Sequence, residues 1–445
     1  MMKQKGGKVI ASGGFGCIFT PSLKCVNGER KQNDITKLMT IKHSNDEYNQ
    51  IEAFNNILKH IPDYQKYFLL EGVSICEPDK LTEEDLNQFD EKCSALKKIN
   101  IKSTNINNKL DKLLAVNMPY GGVDVSKYIE TNINGYQIIE LNNSLINLLK
   151  EGIVPMNNLD CIHGDIKDGN ILVNFENEKL QTRLIDWGLA FKHKKITNEI
   201  SRKIYRRPFQ FNVPFSVIIF NKEFTERYEN FLIVNPEPTF FKIREFVMNY
   251  IFVWIDIRGA GHFKTINSIM NKLIGNELPL VKKKSKIIEY DLTHYYIIEY
   301  ITRVLEKYTV NNKFMFDDYF NNVFLKIVDI WGFIMVYIAL YEELFENYDT
   351  LYESQMQFID HIKYIIIHFL FENPTTTIDI TELVNELTKL NTFCEQFNTK
   401  MPSKKLNYLR SLTKKQKSNN KKQTKKNNKN NNKKNNNKKN KKSSN

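Results

Sequence analysis

The sequence predicts an α+β chain, with short strands first, helices after, and a low-complexity basic tail last. Three observations carry this. Residues 8–40 alternate short β-like runs with Gly- and Asn-rich turns. Residues from about 214 to 400 are aromatic-rich with mostly helical spacing. Nothing apolar follows Leu412.

The elements follow in order. Lys8-Val9-Ile10-Ala11 is a strand run entering the cluster Ser12-Gly13-Gly14-Phe15-Gly16, and Cys17-Ile18-Phe19 resumes the strand pattern. Asn27-Gly28 marks a turn, and Asp34 to Leu38 is a further β-like run. From Asp46 to Lys59, Tyr48, Ile51, Phe54 and Leu58 fall at helical spacing, with Pro62 just beyond as a stop. Residues 77–112 are polar and irregular, a loop-rich insertion. Leu113 to Met118 is a strand closed by Pro119-Tyr120-Gly121-Gly122, Tyr136 to Lys150 a helix, and 159–190 a strand–loop–strand unit.

Composition narrows the function classes. The 445 residues are 41% hydrophobic, with 29 Phe and 21 Tyr, which excludes a wholly disordered chain. The net charge of +13 is local: Thr413 to Asn445 holds 14 Lys, 12 Asn and no acid, leaving −1 for residues 1–412. Such a tail cannot bury enough surface to offset chain entropy, so disorder is expected there. Two readings of it stay open: a solubilising extension without a partner, and non-specific contact with polyanions. Without interleaved aromatics it has no means of stacking on bases.

Six cysteines without a CxxC pair exclude the usual metal-ribbon and thioredoxin signals, and their sparseness suggests a reducing compartment. The first residues lack the apolar stretch of a secretory signal. The apolar run Ile330 to Leu340 is too short for a bilayer, so no transmembrane segment is expected. The histidines show no metal-ligand spacing.

The chemistry concentrates in Ile162-His163-Gly164-Asp165-Ile166-Lys167-Asp168-Gly169-Asn170, followed by Ile185-Asp186-Trp187-Gly188. Phosphoryl transfer needs a carboxylate to orient an acceptor hydroxyl and oxygen donors for the Mg²⁺ that bridges the phosphates. Asp165 suits the first role, and Asn170 with Asp186 the second. Lys167 can neutralise charge on the moving phosphoryl. Upstream, Ser12-Gly13-Gly14-Phe15-Gly16 is a phosphate-covering loop by type, because missing side chains let backbone N–H groups approach phosphate, with Ile10, Ala11, Cys17 and Ile18 on the flanking strands as further nucleotide-binding candidates. Lys37 on the next strand is a phosphate anchor, and Glu47, or alternatively Glu52, is its partner on the following helix.

In that order the parts resemble the eukaryotic-type protein kinase superfamily, and the whole is similar to serine/threonine-protein kinases of giant DNA viruses of the Mimivirus group. The resemblance implies a two-lobed kinase-like fold. A small β-rich lobe would span residues 1–117 and a larger helical lobe 118–402, enlarged by a helical insertion at about 209–324. A disordered tail would occupy 403–445. It implies ATP and Mg²⁺ as cofactors, a hinge at Met118 and Tyr120, Asp124 near the ribose, and a protein substrate phosphorylated on Ser or Thr. It also implies residence in the cytoplasm of an infected host cell. His163 would be structural, and Asp329-Ile330-Trp331-Gly332 would begin a buried helix with a structural Asp.

The departures are specific. Ala11 stands where the first loop glycine belongs, Gly164 replaces the Arg before the catalytic Asp, and Trp187 replaces Phe after the metal Asp. Arg207-Pro208-Phe209 is the nearest equivalent of A-P-E, and Thr197 and Ser201 are the loop hydroxyls. Two further readings stand beside the kinase: a catalytically inactive scaffold, and a small-molecule phosphotransferase of the aminoglycoside or choline type.

Deleting 413–445 separates the two readings of the tail. Polyanion contact expects weaker retention on DNA and RNA at moderate salt, and unchanged retention leaves only the solubilising role.

Overall fold

The computed structural model describes residues 7–131, 134–176, 179–193, 200–274, 286–345 and 353–395. The Lys/Asn-rich tail and Thr197 lie outside these ranges. The architecture is α+β: an antiparallel sheet in the N-terminal part, and a mainly helical C-terminal part.

Strands β1 (Lys8–Ser12), β2 (Gly16–Thr20), β3 (Asp34–Thr40), β4 (Ser74–Cys76) and β5 (Leu113–Pro119) form one sheet in the order β1-β2-β3-β5-β4. Side-chain alternation gives the sheet two different faces. Leu38 and its cross-strand partner Ala115 point to one face and join a core with Val9, Phe19 and Leu113. Lys37 and Val116, one step along, point to the other. Helix α1 (Ile41–Leu58) follows β3 without a break and buries Ile51, Phe54 and Leu58 of the stripe expected from spacing, while Tyr48 is half-buried.

The 77–112 segment is irregular, as the sequence suggests, but it is not a solvated loop. It forms α2 (Phe89–Lys92), α3 (Ser94–Lys98) and two 3₁₀ turns, and it buries Leu81, Phe89, Leu96, Ile101 and Ile106 against the first face of the sheet. Its apolar residues sit on turns too short for any periodicity to register. Arg30 and Asp85 make a bidentate pair at 2.8 and 2.9 Å that fastens it to the β2–β3 connection, with only 8% and 1% of the two side chains exposed.

Cysteine pairing departs from the sequence expectation. Cys17 is bonded to Cys93 and Cys25 to Cys76, so four of the six are disulfides; the first links β2 to this segment and the second links the β2–β3 connection to β4. A low cysteine count says how many crosslinks a chain can have, not whether folding brings two thiols together. Cys161 and Cys394 are buried thiols.

The C-terminal part starts with β6 (Val123–Asp124) and α4 (Val125–Thr131), then α5 (Gly135–Asn147) and α6 (Val154–Asn158). Strand β7 (Cys161–Ile162) precedes the hairpin β8 (Ile171–Glu176) and β9 (Lys179–Leu184), and β10 (Phe191–Lys192) pairs back onto β7. Beyond the short α7 (Arg202–Tyr205), three longer helices lie in the expected insertion: α8 (Lys222–Val234), α9 (Phe240–Arg258) and α10 (Phe263–Ile274). Lys286–Tyr308 follows as a fourth, and a two-stranded hairpin (Thr309–Val310 with Lys313–Phe314) closes this region.

By length and composition the helical stretch Phe316–Phe345 would suffice to cross a membrane, yet 89% of its apolar window is buried inside the protein, the position of a core helix. The two parts share one core: Phe54 and Phe68 from the N-terminal side pack with Trp187, and Leu184 exchanges backbone hydrogen bonds with Tyr67 and Leu69 at 2.8 and 3.2 Å.

Cys93→Ser opens a crosslink that spans 76 residues of sequence. It is expected to cost about 2–4 kcal/mol of stability, read as a thermal midpoint between those of the oxidised parent and the reduced parent, which has also lost Cys25–Cys76. Identical midpoints with and without reductant would sink this.

Candidate functional site

Asp165 follows β7 on a loop whose backbone is gripped from below. The carboxylate of Asp329, fully buried, accepts from the His163 and Gly164 backbone N–H groups at 2.8 and 2.7 Å and from the Asn157 amide at 2.8 Å. The His163 ring is pushed down by burial, against the pull of neighbouring carboxylates, and is neutral at pH 7. Its Nε2 meets the Ile185 carbonyl at 3.0 Å, and its Nδ1 accepts from the Asp165 N–H at 3.3 Å. It is therefore a strut between the two segments that carry Asp165 and Asp186.

Three side chains converge on the Asp165 carboxylate. Lys167 Nζ donates to Oδ2 at 2.9 Å, Asn170 Nδ2 to Oδ2 at 3.0 Å, and Asn212 Nδ2 to Oδ1 at 2.9 Å. Burial pushes this carboxyl up, but the Lys167 charge and hydrogen bond, the Asn212 amide and the Arg207 charge outweigh it. The group lies below the usual carboxylate range. Asn212 went unnoticed in the sequence, because nothing there links it to a residue 47 positions away.

Asn170 and Asp186 are brought to one end of the β8–β9 hairpin. Ile171 pairs with Leu184, and just beyond that pair the Ile185 N–H donates to the Asn170 carbonyl at 3.0 Å. Asp186 is exposed, has a left-handed backbone (φ 64°), and its carboxylate makes no hydrogen bond or ion pair among the described residues. Trp187, 2% exposed, anchors the turn against Phe54, Phe68 and His163 at ring distances of 5.2, 5.6 and 5.0 Å.

Helix α1 connects this end to the sheet. Lys37 Nζ and Glu47 Oε2 are 2.6 Å apart, and Glu52 takes no part in that pair. One turn further along, Gln50 donates to the carbonyls of Ala190, at 2.8 Å, and Trp187. Glu47 and Gln50 thus tie Lys37 and the Asp186 turn to the same helix face.

The glycine turn is closed by Gly13 N–H to Gly16 carbonyl at 2.8 Å. A side chain on Gly14 would meet nothing, and one on Gly13 would meet only the Gly16 carbonyl oxygen and Lys37 Cε, at 3.8 and 4.0 Å, so the turn leaves open space beside Lys37. Gly16 serves packing instead, since a Cβ there would lie 2.2 Å from Met39 Cγ. Phe15 stacks on His43 at 4.3 Å. Ile10 and Ala11 lie on β1 and Ile18 on β2. Both ends of the turn are tethered to the 77–112 segment: Ser12 Oγ accepts from Ala95 N–H at 3.0 Å, and Cys17 carries the bond to Cys93. Met118 is half-buried opposite Ile35, and Tyr120, 45% exposed, donates its N–H to Asn33 at 3.0 Å. Asp124 spends its carboxylate on the Lys127 N–H and ammonium at 2.9 and 3.0 Å.

No cluster of three or more His, Cys, Asp or Glu side chains able to hold a metal occurs among the described residues. A hard cation here would rest on the Asn170 amide oxygen and the Asp186 carboxylate, with other oxygens completing its shell, a set that suits Mg²⁺. No family model matches the sequence, and no curated protein matches it significantly.

Asp329→Ala leaves the His163 and Gly164 N–H groups buried without acceptors and is expected to cost about 3 kcal/mol or more in urea unfolding. Glu47→Gln, at a partly exposed pair, is expected to stay within about 1 kcal/mol. Equal losses would refute this ranking.

Proposed function

We propose that the chain is an ATP- and Mg²⁺-dependent protein kinase with a two-lobed kinase-like fold, transferring the γ-phosphoryl group to Ser or Thr hydroxyls of a protein. The observation that carries the reading is the convergence of Lys167, Asn170 and Asn212 on a single buried carboxylate, Asp165, held by the Asp329 grip. The strand order β1-β2-β3-β5-β4, the Lys37–Glu47 pair and the open space above Gly13 and Gly14 support it.

Each residue then has a task. Lys37, steadied by Glu47, is a fixed cation for the α and β phosphates, and the N–H groups of the glycine turn cover them. Asn170 spends its amide N–H on Asp165 and keeps its oxygen for a cation, while Asp186 offers an uncommitted carboxylate. Mg²⁺, when bound, neutralises charge on the phosphate oxygens.

Asp165 accepts a hydrogen bond from the acceptor hydroxyl and aims its oxygen at the γ-phosphorus. As that O–P bond forms, the bond from phosphorus to the β–γ bridging oxygen breaks, ADP leaves, and the hydroxyl proton passes to the Asp165 carboxylate. A carboxyl held below its usual range is a weak base, so orientation is its main contribution and proton transfer comes late. Lys167, two residues on, offsets charge on the moving phosphoryl.

Asp165→Asn is expected to lower phosphate incorporation into casein or myelin basic protein by roughly 10²–10⁴-fold with nucleotide affinity largely kept. Retention of most activity would show that the base is misassigned. Turnover with a small alcohol alone would replace the protein-kinase reading, and nucleotide binding without any transfer would favour a scaffold.

A further inference from the structure

The Arg207 guanidinium is a buried cation without a hydrogen bond among the described residues. Its residue is 4% exposed, and none of its three guanidinium nitrogens has a partner among the described residues. A charge so placed is unfavourable unless opposite charge faces it. Two carboxylates do, Asp165 and Asp329.

The location is specific. A Cβ built on Gly164 would stand 3.9 Å from Arg207 Nη2, so the guanidinium lies beside the bare Cα between His163 and Asp165. Gly164 has φ +70°, a conformation that strains any side chain, so position 164 is ill suited to supply this cation itself.

Arg207 is instead delivered from the other side, by the helical insertion. Its N–H donates to the Ile204 carbonyl, and its own carbonyl accepts from Trp254 Nε1 on α9, both at 3.1 Å. The next residues are clamped by the turn after α9. His262 N–H donates to the Phe209 carbonyl at 2.8 Å, and Gly261 (φ +54°) passes so close that a Cβ would lie 2.3 Å from that oxygen. The three residues standing where the sequence lacks A-P-E are therefore locked onto α9 and the start of α10.

We propose that Arg207, presented by the inserted helices, is a positioning residue that holds the Asp165 carboxylate by its charge. This rests on the reading of Asp165 given above. It assigns the insertion a function: a buttress for the catalytic loop in place of the missing motif. The charged and titratable groups facing Asp165 are Lys167 on its own loop, His163 before it, Arg207 after α7, His262 before α10, and Asp329 beneath through His163 and Arg207.

The test uses the full chain with Arg207→Gln, Arg207→Lys, Asp165→Asn and the Gln/Asn double variant. Urea midpoints at pH 7 need no turnover. The shift caused by Arg207→Gln is expected to change when Asp165 is already Asn. Additive shifts would overturn the proposal even if the protein transfers phosphate, and non-additive shifts would support it even if it transfers none. With turnover, Arg207→Gln should lower kcat about tenfold with KM little changed, and Arg207→Lys should largely restore it. An unchanged kcat in Arg207→Gln contradicts the proposal. Should Arg207→Gln not fold, Trp254→Phe, which loses the bond to the Arg207 carbonyl together with part of a buried ring, is expected to lower kcat in the same sense with KM little changed. An unchanged kcat there likewise counts against it.

Discussion

The buried carboxylate of Asp329 is the constraint on which the site depends. It accepts two consecutive backbone N–H groups, His163 and Gly164, and an amide from Asn157, all within 2.8 Å. A fully buried carboxylate is tolerated only with such a set of donors. The grip fixes the direction in which the chain leaves β7, and hence where Asp165, Lys167 and Asn170 point. The Ile185 N–H bond to Asn170 then carries the same order to Asp186.

A second constraint lies across α1. The helix buries Ile51, Phe54 and Leu58, and its Glu47 and Gln50 reach in two directions, to Lys37 on the sheet and to the turn after Asp186. Phe54 stacked on Trp187 makes this connection apolar as well as polar. A shift of α1 would therefore move Lys37 and the Asp186 turn together. The helix thus adds to the link that Phe68 on Trp187 and the backbone bonds of Leu184 to Tyr67 and Leu69 already make between the two parts.

Both long insertions support the centre, in different ways. The 77–112 segment covers one face of the sheet and is tied to the glycine turn through Ser12 and Cys17. The helices after Phe209 hold the backbone of Arg207 and Phe209 through Trp254 and His262. Neither role is legible locally. The apolar residues of 77–112 sit on short turns that give no period, and Trp254 lies 47 positions from the carbonyl it binds.

What the sequence determined by itself was everything local. Strand alternation set Lys37 against Leu38 on opposite faces of β3, helical spacing set the buried stripe of α1, and the short interval from Asp165 to Asn170 kept both on one loop. Periodicity and short spacing are properties of the backbone itself, so they survive any tertiary context. The tertiary structure alone decided the pairing of Cys17 with Cys93, the approach of Asn212 to Asp165, and the burial of Arg207 beside Gly164. Each joins residues from distant parts of the chain, and such contacts form only once packing has paid the entropy of closing the loop between them.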